Sequence, residues 1–275
     1  MKIRYLGTAA AEGWPALFCS CSLCQDARKK GQLRTRTQSL VDGELLVDFP
    51  PDSYMHALTN GINFGEIKTL LVTHSHMDHW FPTDFVHRHE LFAHDTKDVL
   101  HIYGNEAVHQ SFINALSLDR FKSHPVGDVI HFHVVHGGDR FRAGEWEVTA
   151  VPADHDKREE CLVYILKKNG KTLFYGHDTG LNLSDEAWAL LRQERFDLIS
   201  LDATMGASSM GGYHMGLDEA ERFARKLEKL GAVDAKTVKV INHFSHNGKM
   251  TNEQMLLWAK EKGFLATQDG MEIEF

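Results

Sequence analysis

His74-Ser75-His76-Met77-Asp78-His79 follows directly on the apolar run Thr69–Thr73, which reads as a β-strand. His74 and His76 are two apart, so a short turn after that strand can aim both imidazoles at one ion. Asp78 and His79 follow at once. Four ligand-type side chains in six residues are more than one tetrahedral site takes from so short a segment, because a catalytic zinc uses three protein ligands and keeps a position open. Two adjacent metals account for the density better. Clustered histidines can also form a solvated loop, and Asp78 can cap a helix ahead of Pro82. The full His-x-His-x-Asp-His spacing at a strand end favours metal.

Outward from this segment, apolar runs that read as strands recur at Ile3–Leu6, Ser39–Asp48, Val99–Tyr103, Val129–Val135, Trp146–Val151, Leu162–Lys167, Thr172–Tyr175, Leu198–Leu201 and Val238–Ile241. Asp42-Gly43 marks a hairpin turn inside the second of them. Helical periodicity is clearest over Asp185–Gln193, Leu217–Leu230 and Asn252–Lys262, with Ser184, Gly216 and Thr251 as their N-caps. The pattern predicts an α/β chain of sheets covered by helices, in one domain spanning residues 1–275. His155, Asp178, Asp202 and His243 each fall just after a predicted strand, as His74–His79 do. Loops at strand ends on a rigid scaffold converge on one edge and can share a site.

The chain has 275 residues, is 43% hydrophobic, and carries a formal charge of -8. It can bury a full core, and its acidic balance argues against a nonspecific grip on long nucleic acid. No apolar run is long enough to cross a bilayer, and the N-terminal Met1–Gly7 reads as a strand and not as a secretion signal, so a cytoplasmic protein with no membrane partner is expected. Four cysteines are too few for a disulfide scaffold at this length, and three of them crowd into Cys19-Ser20-Cys21-Ser22-Leu23-Cys24. Clustered thiols together with 18 histidines point to metal.

The His74–His79 segment resembles the signature of the metallo-β-lactamase superfamily, and the resemblance runs along almost the whole chain. It implies a four-layer αβ/βα sandwich with two divalent metals at one edge. His74, His76 and His155 would hold one metal; Asp78, His79 and His243 would hold the other; Asp178 would bridge them. The later positions stand in Val151-Pro152-Ala153-Asp154-His155, Tyr175-Gly176-His177-Asp178-Thr179-Gly180 and Ile241-Asn242-His243-Phe244. Asp154 and Asp156 flank His155 and His177 abuts Asp178, so neighbours compete for those roles. His76 stands where oxygen-reducing di-iron relatives carry a carboxylate. The nitrogen-rich set suits zinc or manganese, with iron admissible where availability decides.

Cys19, Cys21 and Cys24, with His246 in His243-Phe244-Ser245-His246-Asn247-Gly248, resemble the additional structural zinc site of the PhnP-type phosphoribosyl cyclic phosphodiesterases. Three thiolates and one imidazole leave no open position, so such a zinc would staple the N-terminal loop and do no chemistry. A redox-sensitive or merely buried cysteine cluster is the alternative. Cys161 reads as a buried apolar filler. The same family places a histidine over the metals where His214 stands in Tyr213-His214-Met215, which implies a general acid there; capping the following helix is the plainer role. Asp48 and Asp202 read as carboxylates that orient ligand imidazoles.

Other features read as structure. His131 and His133 share one strand face beside His136, and His87, His89 and His94 fall in a predicted helix without metal-like spacing. Arg28-Lys29-Lys30 and Arg34-Thr35-Arg36 are short basic runs, either a solvated face or an attraction for an anionic substrate. Trp80-Phe81-Pro82 is bulkier than the residues the family often carries there and is expected to narrow or reshape the pocket mouth.

The resemblance implies a hydrolase acting on a small, cyclic phosphodiester, with a homodimer left open. Asp78, as ligand, and His214 would be its catalytic residues. A lactone or thioester hydrolase and a short-RNA nuclease are rival enzymes, because the fold does not choose between electrophiles. A metal- or nucleotide-binding protein without turnover would need a defective ligand set, and every expected ligand is present.

Overall fold

A computed structural model describes residues 1–96, 98–118 and 125–275. The first half of the chain builds one sheet from β1 (Lys2–Gly7), β2 (Gln38–Val41), β3 (Leu45–Val47), β4 (Thr69–Leu71), β5 (Leu100–Gly104) and β6 (Ile130–Val134). These lie side by side in chain order, antiparallel as far as β3 and parallel from β3 to β6. The second half builds β7 (Arg140–Ala143), β8 (Trp146–Pro152), β9 (Leu162–Lys168), β10 (Lys171–Gly176), β11 (Leu198–Asp202), β12 (Val238–Asn242) and β13 (Leu265–Ala266) in the same manner, antiparallel to β10 and parallel beyond it. A last strand, β14 (Met271–Glu274), returns to the first sheet beside β1.

Period-two alternation puts apolar side chains on both faces of the central strands. Leu45, Val47 and Leu71 face one way and meet Tyr164, Leu166, Leu173 and Tyr175 of the other sheet, forming the core between sheets. Leu46, Leu70 and Ile102 face outward and are covered by Phe85 and by Val108 and Phe112 of α3 (Glu106–Leu116). Val163, Ile165, Phe174, Ile199 and Ile241 face outward on the second sheet, under Trp188, Phe223 and Met255. Those three come from α4 (Asp185–Leu191), α5 (Leu217–Lys229) and α6 (Asn252–Lys262). The result is helix, sheet, sheet, helix: the expected αβ/βα sandwich.

The three expected helices form with the expected caps. Ser184 and Thr251 accept the N–H groups of Ala187 and Gln254, and Glu219 accepts that of Gly216. Two elements went unread in the N-terminal third: α1 (Ser22–Lys30), which begins inside the cysteine cluster, and α2 (Ser53–Asn60). The helix expected around His87, His89 and His94 is corrected to a short 3₁₀ helix, Pro82–Arg88, which contains only His87. No helix among the described residues is long and apolar enough to cross a membrane.

Candidate metal centre

Every singled-out residue of the dimetal set leaves the C-terminal end of a strand. The His74–His79 loop follows β4, His155 follows β8, Asp178 follows β10, and His243 follows β12. Asp48, Asp178 and His243 adopt positive φ of 65°, 52° and 66°. Aspartate and histidine tolerate this left-handed turn better than most residues, and it swings each side chain back over the strand end instead of along it.

The turns bring two sets together. His74, His76 and His155 pack with ring centroids 4.4, 4.9 and 5.0 Å apart. Asp78, His79 and His243 form the second set, and Asp178 lies in both. Its Oδ2 is 3.4 Å from His74 Nε2 and 2.7 Å from His79 Nε2, and its Oδ1 is 2.9 Å from the His243 ring. All but His76 are almost wholly buried.

The far side of each imidazole is held by the protein, and this determines which nitrogen faces the centre. His79 Nδ1 lies 2.7 Å from Asp48 and His155 Nδ1 lies 2.8 Å from the Tyr213 carbonyl, whereas His243 Nδ1 lies between Thr204 Oγ1 at 2.7 Å and Asp178 Oδ1 at 2.9 Å, with Nε2 toward Asp78. His76 Nε2 lies 3.0 Å from Asp156, leaving Nδ1 to face His155. Asp156 is therefore a support for His76 and does not displace His155 from the centre. His177, the other competing neighbour, points into the core toward Ser200 and Asn242. Glu159 grips the same loop, accepting both the N–H and the hydroxyl of Ser75 at 3.0 and 2.7 Å.

His74 Nε2, His79 Nε2, His243 Nε2 and Asp178 Oδ1 are buried without a hydrogen-bond partner. Unpaired buried polar atoms are costly, and here they converge. His79 shows the consequence most directly: with Nδ1–H committed to Asp48, an Nε2 lone pair faces the Asp178 carboxylate, an approach that is favourable only with positive charge present. Burial opposes that charge, but Asp178, Asp78 and Asp48 outweigh it and raise the His79 pKa well above its ordinary value. His243 responds likewise and rises to about 9, burial again being overcome by Asp178. Burial would raise the Asp178 pKa, yet His243, His79, His214 and His155 hold it well below the ordinary carboxylate range. A site that draws protons onto buried imidazoles while keeping its carboxylates ionised fits divalent cations.

His214 sits beside this centre, 20% exposed, with Nδ1 3.0 Å from Asp202 and 3.3 Å from Asp178. Burial lowers its basicity, but those two carboxylates raise its pKa to about 11. Asp202 also accepts the N–H groups of Asp178, Thr204 and Met215. Asp202 thus orients His214 first of all, whereas Asp48 orients the ligand-type His79.

Cys19, Cys21, Cys24 and His246 form a separate cluster in which all donor atoms lie within 4.8 Å of one another. His246 Nδ1 is 3.7 Å from Cys19 Sγ and 3.5 Å from Cys21 Sγ. Cys21 caps α1, and the Cys24 N–H lowers its pKa to about 6, as helix N-termini do for thiols. Cys24 is buried, and burial raises its pKa to about 11. Cys161 is buried, as expected of an apolar filler.

One expectation is corrected. Trp80 does not narrow the mouth: it is 2% exposed, packs on Phe85 and Phe112, and donates its indole N–H to Ser111. The ring lies in the apolar core under α3. Of the basic runs, Arg28, Lys29 and Lys30 form an exposed face, one of the two readings the sequence left open, and Arg34 and Arg36 are drawn into the fold. Arg28 donates to the Cys19 and Ala16 carbonyls, Lys30 pairs with Asp26 and Glu253, and Arg36 pairs with Asp52. Arg34 is buried against Thr8, Asn252 and the Phe244 ring.

Comparison with known proteins agrees with this architecture. Residues 45–244 match the β-lactamase superfamily domain. A coenzyme PQQ synthesis protein B from Methylobacterium radiotolerans is 32% identical over 93 residues, which cover 29% of this chain and only 31% of that protein's length. Among solved structures, a diphosphatase of the PhnP family superposes with a TM-score of 0.75 at 22% identity, covering 100% of this chain and 97% of that one. Zinc-bound PqqB from Methylobacterium extorquens gives 0.75 at 17% identity over 100% of both chains. The short form of human tRNase Z gives 0.66 at 18%, over 100% of this chain and 99% of that one. With a family domain matched across most of its length and a fold that carries the expected strand-end centre, the chain belongs to the metallo-β-lactamase superfamily of metal-dependent hydrolases.

Proposed function

We propose that the protein is a two-metal phosphodiesterase that hydrolyses a small, cyclic phosphodiester. The observation that carries this reading is Asp178, one buried carboxylate reaching both histidine sets, while three buried imidazole nitrogens around it lack a hydrogen bond. On this reading His74, His76 and His155 hold one ion, Asp78, His79 and His243 hold the second, and Asp178 spans the two. The nitrogen-rich donors suit zinc or manganese, and iron is admissible. Bound there, a pair of divalent cations supplies Lewis acidity and an activated water.

The chain's own residues supply orientation and the proton. Asp48, Thr204 and the Tyr213 carbonyl hold the imidazoles in fixed tautomers. His214 has Nδ1 committed to Asp202, which leaves Nε2 as the nitrogen that delivers a proton to the departing oxygen. Exposed Met77 and Tyr213 border the site and offer apolar contact to the organic part of a small substrate. The formal charge of -8 supports a small-molecule substrate over long nucleic acid. Phosphorus is favoured over acyl carbon by His214 and by likeness in fold to the PhnP-family diphosphatase. Cys19, Cys21, Cys24 and His246 are assigned to a structural zinc, a closed set of soft donors with no position left for substrate.

Metal-reconstituted protein assayed against phosphoribosyl cyclic phosphate, cyclic nucleotides, linear aryl phosphodiesters and lactones tests the proposal. Turnover is expected on the phosphodiesters, highest on a cyclic one. Turnover of lactones alone defeats the assignment.

A further inference from the structure

A second group of imidazoles lies on the first sheet, away from the strand ends that carry the dimetal centre. Leu100, Ile102 and Ile130 are buried in the outer core. Alternation therefore turns His101, Tyr103, His131 and His133 to the opposite face, and the parallel register sets His101 beside His131 and Tyr103 beside His133. His101 is also level with Thr69 at the start of β4, whereas the His74–His79 loop leaves that strand's other end. The sequence separates His101 from His133 by 32 positions, and the sheet closes that gap to 3.0 Å between Nδ1 and Nε2.

His101 and His133 are placed as two donors to one ion, and His131 joins them only by turning its ring. A tetrahedral zinc with bonds of 2.0–2.1 Å holds two imidazole nitrogens about 3.3 Å apart and the ring centres roughly 5 Å apart. His101 and His133 have centroids 5.2 Å apart, and His101 and His131 are 5.5 Å apart. These spacings are close to the 4.4–5.0 Å of the His74, His76 and His155 rings. Tyr103 stacks flat on His133 at 4.5 Å and 15°, which fixes the ring against the sheet. Burial and the two neighbouring imidazoles all act to lower the His133 pKa, so its lone pairs stay available near neutral pH. His131 is exposed on the edge strand β6 and can turn its ring toward His101.

We infer that His101 and His133, with His131 as third donor, form an accessory site for a zinc-like divalent ion, separate from the hydrolytic centre. An ion held there cross-links β5 to β6 and clips the edge of the first sheet. Neutral imidazole donors select borderline ions such as zinc and copper(II) over magnesium or calcium.

The probe is zinc(II) alone, added to protein already loaded at its hydrolytic centre. Bound zinc is counted against free zinc for the wild type, His101→Ala and His133→Ala, and anomalous scattering at the zinc edge locates the ion in crystals. One equivalent is expected to be lost, or bound at least roughly tenfold more weakly, in both variants, with phosphodiesterase turnover unchanged and a wild-type peak between the two rings. Equal zinc binding in all three proteins, or no peak at His101 and His133, overturns the inference. His131→Gln touches no core residue; should the alanine variants fail to fold, unchanged zinc affinity in this variant overturns it as well.

Discussion

The dimetal set and the cysteine cluster meet on one loop, with His243 and His246 three residues apart, yet they are built in opposite ways. The first spends its donors on two sets that share Asp178, buries nearly all of them, and leaves three imidazole nitrogens without partners. Carboxylates behind the rings charge it, and His214 approaches from its exposed side. The second gathers three thiols and one imidazole about one point, with Cys21 exposed and Cys24 buried. An open nitrogen-rich site suits turnover, and a closed thiolate site suits holding the chain in place. On the proposed reading the second braces the first through the loop that joins them, where Phe244 is hydrogen-bonded to Thr8 and Ala10 and His246 lies beside the cysteines.

The largest break in this comparison is Asp178→Ala. Removing the shared carboxylate leaves neither set complete. We expect loss of both hydrolytic ions with the cysteine-bound ion retained, and a fall in turnover of about 10⁴-fold or more. Metal analysis beside kcat checks it; retention of two hydrolytic ions would show that Asp178 is not shared. His214→Ala comes next. Since His214 lies outside both three-ligand sets, metal content should hold while kcat falls about 10²–10⁴-fold. Normal turnover would take the residue out of the mechanism.

Protons compete with the ions, which makes affinity at the dimetal centre depend on pH in a stated direction. In metal-free protein His79 and His243 are both protonated at neutral pH, because their pKa values are raised, that of His243 to about 9. Cation binding expels these protons, so affinity should rise with pH by up to about 100-fold per unit while both are held, and level off only once both imidazoles have lost their protons. A chelator-buffered titration reads the slope. A slope of zero would mean that these imidazoles are not ligands.

Much of this centre was legible in the sequence because its signals are local. Four donors stand in six residues, and His155, Asp178 and His243 each follow an apolar run that ends in a turn. The supports were not legible. Asp156 lies 80 positions from His76 and Glu159 lies 84 from Ser75, and only folding brings β8's exit loop against β4's. The direction of a side chain was hidden too: Trp80 directly follows His79, yet its ring lies in the core. His101 and His133 stayed apart for the same reason, since strand register, and not spacing, makes them neighbours. Helix α1 was masked because its short run exposes most of its residues and buries only Cys24 and Ala27.

Asp156→Ala tests one of those hidden supports. It frees His76 Nε2 without removing a donor, so metal affinity should weaken about 10–100-fold, and excess metal should restore most of kcat. Failure of excess metal to restore activity would move Asp156 from a support to a ligand.

Cys24→Ser should have the smallest effect on turnover and thereby sharpens the contrast between the two clusters. Its thiol is buried against the Ala16 N–H and α1, far in role from the reacting atoms. Loss of one zinc equivalent should release the N-terminal loop and lower the unfolding midpoint by roughly 5–10 °C. Protein that remains folded keeps both histidine sets and should turn over within about threefold of the wild type, since the Phe244 bonds to Thr8 and Ala10 still hold the His243 loop. A fall in kcat comparable to that of His214→Ala, in protein shown to be folded and loaded at the dimetal centre, would mean that the cysteine cluster takes part in the chemistry and does not merely brace it.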